Sequence, residues 1–176
     1  TLDPTRPETA EAAPHEQETN GAQRPEESHL TVDWDRQLSF ESVNSGDEVP
    51  PYSVWLNYQR IVMSVAADRM WSSIHHNRDT ARAHGLDDII FNTRGYDMVM
   101  EITLRRWVGL DGRLKKLGPY RMVKNSHPGD TLTCRARVVN KEVVDDQGRL
   151  YLEISVKNQR AEAARGQAVV SLPVGA

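Results

Sequence analysis

From Thr131 to Val138 the apolar side chains fall on even positions (Leu132, Cys134, Ala136, Val138), and threonine or arginine fills the odd ones. A period of two marks a strand with one buried face. Leu150 to Gln159 repeats the pattern with Leu152, Ile154 and Val156, and Asp145 to Gly148 makes the turn between the two runs. Gln167 to Val174 reads as a last strand and Arg113 to Lys124 as a further one. Near the start, Leu38 to Phe40 predicts a short strand, followed by a turn at Ser45, Gly46 and Asp47. Pro50 and Pro51 then enforce an extended path into a strand over Tyr52 to Asn57.

The spacing changes between these runs. Gln59 to Met70 carries apolar residues at 61, 62, 65 and 66, which is helical spacing. A polar connection follows, with one short helical turn over Thr80 to His84 that Asp79 is placed to N-cap and Gly85 stops. Thr93 to Trp107 predicts the long helix: Tyr96, Val99, Met100, Thr103, Leu104 and Trp107 recur at steps of three and four. Gly109 and the Asp111–Gly112 pair close it. One long buried helix among antiparallel strands describes an α+β domain over residues 38–176.

Composition divides the chain. Of its 176 residues 38% are apolar, and the deficit lies at the N-terminus. Residues 1–28 are rich in Pro, Glu, Thr and Ala, with no aromatic and one leucine, so burial there cannot offset the entropy of ordering. Residues 1–37 are therefore expected to form a flexible acidic tail, with Trp34 and Phe40 as anchors where it meets the domain. A net charge of −3 offers no field that would recruit nucleic acid or anionic lipid. No apolar run approaches the ~20 residues that span a bilayer, and no basic–apolar–small pattern of a secretory signal opens the chain. The single cysteine, Cys134, falls on the buried face of a strand and reads as a small core residue, a usage that fits a cytoplasmic location.

The densest polar cluster is Asp68, His75, His76, Arg78 and Asp79. Adjacent histidines can ligate a metal, but no third ligand stands at a zinc-like spacing; the alternative is hydrogen-bonded or solvated histidines. No metal and no cofactor is expected. Three segments add meaning. MWSSIHHNRDTARAHG (70–85) resembles the D-[WF]-N-P-[IV]-H signature of MaoC-like acyl-thioester hydratases and dehydratases. SFESVNSGDEVPP (39–51) resembles their F-E-D-V-x-x-G-D-x-x-P-P leader, and PGDTLTCRARV (128–138) their P-G-D-T-[LV] strand. The three occur in order, at plausible spacings, between residues 39 and 138. The HHNRD…DIIFN…W arrangement is most similar to small actinobacterial subunits acting on steroid side-chain CoA esters.

The resemblance implies a hot-dog fold, a curved antiparallel sheet wrapped around one long helix. It implies a homo- or heterodimer with another hot-dog subunit, an acyl-CoA or acyl-carrier thioester as ligand, and hydration or dehydration of an enoyl or 3-hydroxyacyl group. Such chemistry needs a carboxylate and an imidazole to hold and deprotonate water, and a backbone N–H at the start of the long helix for the thioester oxygen. His75 matches the family histidine and Trp71 the aromatic before it, which puts Met70 where the family has aspartate. Three readings follow: a hydratase using His75 with another carboxylate, a non-catalytic subunit that stabilises a catalytic partner, or an altered reaction such as thioester hydrolysis. For the first, Asp68 is the candidate, because a continuous helix through 68 and 75 would put both on one face. Asp68 also reads as a solvated helix charge paired with Arg69 or Arg78. Met70, Trp71, His76, Arg78, Asn92, Gly95 and Met98 are the candidate substrate contacts. Among these, Arg78 would meet a phosphate or tie down its loop, Asn92 would seat the thioester or cap the helix, and the amide would come from Gly95 to Met98. Lys115, Lys116, Arg121 and Lys124 form a basic stretch that is either solvated or turned toward CoA phosphates.

Overall fold

A computed structural model describes residues 27–28 and 36–175. The order along the chain is β1 (Glu48–Trp55), α1 (Tyr58–Ala67), a 3-10 turn (Ser73–His75), α2 (Arg78–Ala83), α3 (Thr93–Val108), β2 (Arg113–Met122), β3 (Thr131–Val144), β4 (Gln147–Lys157) and β5 (Glu162–Leu172). The strands form one antiparallel sheet in the order β1-β3-β4-β5-β2. Helix α3 touches every strand. Five strands span about 19 Å at the usual spacing, nearly twice a helix diameter, so a sheet that reaches α3 along its whole width must bend around it.

The strand period explains the core. Leu132, Cys134, Ala136 and Val138 of β3, Leu150, Leu152, Ile154 and Val156 of β4, and Ala168, Val170 and Leu172 of β5 are all buried. They meet the stripe that α3 presents: Tyr96, Val99, Met100, Thr103, Leu104 and Trp107. Cys134 is fully buried, and that burial pushes its thiol up to about 12, outweighing a hydrogen bond with Thr103, so the core reading of this cysteine holds. Asp145 and Asp146 both take positive φ, 52° and 58°, the two-residue geometry that matches the twist of the β3–β4 hairpin. Gly109 ends α3 at φ 74°, where a side chain would be strained.

Several boundaries depart from the sequence reading. No strand forms over 38–40; those residues are irregular, and the Phe40 N–H donates to the Pro173 carbonyl. Strand β1 starts earlier than expected, at Glu48, and absorbs Pro50 and Pro51 in a register shift between Val49 and Tyr52 on the sheet edge. Strand β5 starts at Glu162 rather than Gln167. Helix α1 ends at Ala67, not Met70, and Asn77 rather than Asp79 caps α2 by accepting from the Thr80 N–H. Trp34 and most of the tail expected over 1–37 lie outside the described residues. Glu27 and Ser28 run beside β1: the Ser28 N–H donates to the Ser53 carbonyl, Ser28 Oγ accepts from the Ser53 N–H, and the Glu27 carboxylate accepts from the Trp55 N–H and pairs with Arg60. Gln37 reaches the end of α3, donating to the Val108 carbonyl.

Candidate active site

Asn92 is the N-cap of α3 and is fully buried. Its Oδ1 accepts from the Gly95 N–H at 3.0 Å and its Nδ2 donates to Asp68 Oδ2 at 2.8 Å; Ser64 Oγ of α1, which donates to the Ile61 carbonyl at 2.8 Å, lies 3.4 Å from Oδ1. Asp68 stands at the C-cap of α1, and Arg69 follows in the left-handed region at φ 53°. The chain therefore leaves the helix between 68 and 75. Sharing one helical face is not what relates these two residues. Asp68 pairs with neither Arg69 nor Arg78; Asn92 is the only hydrogen-bond donor to its carboxylate among the described residues.

His75 ends the 3-10 turn and is 8% exposed. Its Nδ1 lies 2.8 Å from the Ile90 carbonyl oxygen. A carbonyl can only accept, so Nδ1 carries the hydrogen in this contact. In the neutral ring Nε2 is then the basic nitrogen. Asp68 and His75 are thus tied to residues 92 and 90 of one segment leading into α3, anchor points about 7 Å apart along an extended chain.

The surrounding candidates separate. Met70 is half-buried, with Sδ 4.0 Å from Asn92 Nδ2. Trp71 is 79% exposed, and His76 and Met98 are exposed as well. Gly95 is buried against Phe91, whose Cζ would lie 2.2 Å from an added Cβ, so only glycine fits there. Because the Gly95 amide is held by Asn92 and later amides enter the helix ladder, the N–H groups that an α-helix leaves without an internal partner here are those of Thr93 and Arg94. Arg78 pairs with Asp88 at 3.0 Å, stacks over Tyr58 at 5.1 Å and donates to the Tyr58 hydroxyl, which in turn donates to Asp88. Burial raises the Asp88 carboxyl, but the hydrogen bonds from Arg78 and Tyr58 outweigh it and hold the group below its ordinary value. This clamp ties α1 and α2 to the loop before α3. Ser64, Asp88 and Tyr58 had no sequence signal; the N-x-x-G spacing of Asn92 and Gly95 was a readable helix start.

No protein-family model matches the chain, and no curated protein matches it. Solved structures do. One is a chain of the ChsH1–ChsH2 complex from Mycobacterium tuberculosis: TM-score 0.67, 22% identity, covering 73% of this chain and 98% of that one. Another is the R-hydratase PhaJ1 from Pseudomonas aeruginosa, with TM-score 0.68 and 16% identity over 78% of this chain and 87% of that one. A third is a MaoC-like dehydratase from Rhodospirillum rubrum, with TM-score 0.65 and 18% identity over 79% and 99%. The chain has the hot-dog fold that these structures share.

Within that hot-dog frame the head of α3 gathers one imidazole whose Nδ1–H is held by a carbonyl and one acidic side chain bonded through a single oxygen. Among the described residues no group of three or more His, Cys, Asp or Glu side chains is placed to hold a metal ion, and no helix is long and apolar enough to cross a membrane. A cleft of about 710 Å³, lined in part by Glu48, Arg135, Arg137, Glu153 and Arg165, contains none of the groups at the head of α3.

Proposed function

We propose that the chain is a subunit of a MaoC-like hydratase that adds water to an enoyl thioester, or removes it from a 3-hydroxyacyl thioester, with His75 and Asp68 as the proton-handling pair. One observation carries this reading: His75 donates its Nδ1–H to the Ile90 carbonyl while Asp68 is anchored two residues on, at Asn92. In hydration, a water held between Nε2 and the carboxylate loses a proton as its oxygen attacks the β-carbon. The proton returned to the α-carbon completes the addition. Charge that gathers on the thioester oxygen is stabilised by the amides of Thr93 or Arg94 and the positive end of α3. CoA is the favoured carrier, and Trp71, His76, Arg78 and Met98 line the approach as contacts for the ligand or a second subunit.

A second reading has support of its own. Met70 stands where the resemblance puts a carboxylate, and Trp71, Val62 and Met63 expose apolar surface on the segment leading to His75. Those features favour a subunit whose face is covered by a homologous or heterologous hot-dog chain that carries the catalysis. Among the described residues β2 bonds only to β5 while the β1 edge carries Glu27 and Ser28, which leaves the β2 side for such pairing.

The test is hydration of a series of 2-enoyl-CoA thioesters by the full chain, alone and with a co-expressed hot-dog partner. Turnover that His75→Ala abolishes supports catalysis by this chain. Turnover that requires the partner and survives His75→Ala supports the scaffolding subunit, and no turnover in either form removes the hydratase reading.

A further inference from the structure

We propose that Asn92 is a positioning residue: it hands to Asp68 the hydrogen bond that a carboxylate at position 70 would otherwise receive, so that the site's carboxylate is supplied two residues upstream. This rests on the hydratase reading above, and it adds why Asp68 rather than another acid serves.

The amide of Asn92 has one possible orientation. The Gly95 N–H can only donate, so the atom 3.0 Å from it must be oxygen, which leaves the nitrogen facing Asp68. Side-chain motion is suppressed because the residue is completely buried. Nδ2 therefore presents a fixed donor on the side where α1 ends.

Two side chains approach that donor. Asp68 Oδ2 takes it at 2.8 Å, and Met70 Sδ stands at 4.0 Å, the limit of a sulfur contact. Residues 68 and 70 reach one point because Arg69 takes φ 53°, which folds the chain back between them. An L-residue other than glycine rarely holds that conformation, so the turn persists because the contacts on either side hold it. A thioether is a weak acceptor, and an ionised carboxylate is a strong one. With methionine at 70, Asp68 is the strong acceptor that meets Nδ2 among the described residues. One bond fixes the direction of the carboxylate while its second oxygen stays open, as a group that binds and deprotonates water requires. Orienting Asp68 requires no contact between Asn92 and the thioester.

The experiment is a double-mutant cycle on the full chain, in the assembly that shows turnover, with a short 2-enoyl-CoA as probe. Asn92→Ser and Asn92→Asp both keep an N-cap acceptor for Gly95 and lack the amide donor, so α3 retains its start. The expected result is a fall in kcat of about 30-fold with KM within about threefold. In the Asp68→Asn background the same substitutions should have no further effect, because a residue acting through Asp68 has nothing left to position. Thermal midpoints measured alongside separate lost catalysis from lost folding; if Asn92→Asp unfolds the chain, Asn92→Ser carries the cycle. Wild-type kcat in Asn92→Ser, or losses that multiply with Asp68→Asn, would overturn the proposal and leave the hydratase reading standing. A wild-type chain without turnover, or an Asp68→Asn variant as active as wild type, would instead remove the reading on which it rests.

Discussion

Two carboxylates flank the segment that leads into α3, and they are held in opposite ways. Asp130 is buried; it accepts from the His127 N–H at 2.9 Å, from Asn158 at 3.2 Å and from Arg160 at 2.7 Å. Around it Tyr96 donates to Ser126 at 2.8 Å, Asn158 also reaches Ser126, and His127 contacts the Ile89 carbonyl. Asp68 is exposed and receives one bond. The segment's other carbonyl, Ile90, is taken by His75. A buried carboxylate whose Oδ2 takes three donors is cemented in place; an exposed one held by a single donor is oriented only. The first fixes the loop between β2 and β3, and the second is the acid we propose for the proton transfer.

The comparison can be broken most directly at its reactive side. Asp68→Asn is expected to lower kcat about 100-fold or more while leaving the urea midpoint near wild type, because a surface amide costs little where the acid was exposed. A variant that unfolds early instead would place Asp68 on the structural side. The reciprocal change, Asp130→Ala, should lose on the order of 3 kcal/mol in chemical denaturation, since it strips a buried network of its acceptor. The protein that remains folded should keep kcat within about threefold.

Gly95→Ala tests the helix start that both sides share. Its methyl would collide with the Phe91 ring, and a loss of about 2 kcal/mol in thermal or urea unfolding is expected. Moving the carboxylate sharpens the comparison further: Met70→Asp in the Asp68→Asn background should recover about tenfold in kcat if either position can use the Asn92 donor. Recovery in that double variant and not in Met70→Leu would tie the gain to charge.

The smallest effect is a pH dependence at the Arg78–Asp88–Tyr58 clamp. The folded Asp88 carboxyl lies below its unfolded value, so its stabilisation is full above the unfolded range near 4 and is lost as pH falls through the folded value. Asp88→Asn should cost under ~1 kcal/mol at neutral pH, and its deficit relative to wild type should shrink in unfolding measured in acid, as expected for a pair partly open to solvent.

The strands and α3 were legible because their signals are periodic: alternation in β3 and β4 and the three–four stripe of α3 are each repeated many times. The irregular stretch from 68 to 92 was not. Arg69 in a left-handed conformation ends α1 three residues before the apolar pattern does, and nothing in an arginine announces that. Asn77 took the cap that Asp79 seemed suited to, since both residue types cap and only the first helical turn decides. His75 was readable from its motif, but its tautomer was not, because that depends on a carbonyl fifteen residues away.

What the sequence determined by itself was the sheet-and-helix frame and the candidates proposed for acid–base work. Burial of a periodic face is a local property of the chain, and resemblance to a motif is likewise a matter of order and spacing. The tertiary structure decided which carboxylate is oriented and which is locked, which nitrogen of His75 is basic, and that Arg78 serves a clamp. Each of those depends on directional bonds between residues remote in the chain, and hydrogen-bond partners of that kind leave no period to read.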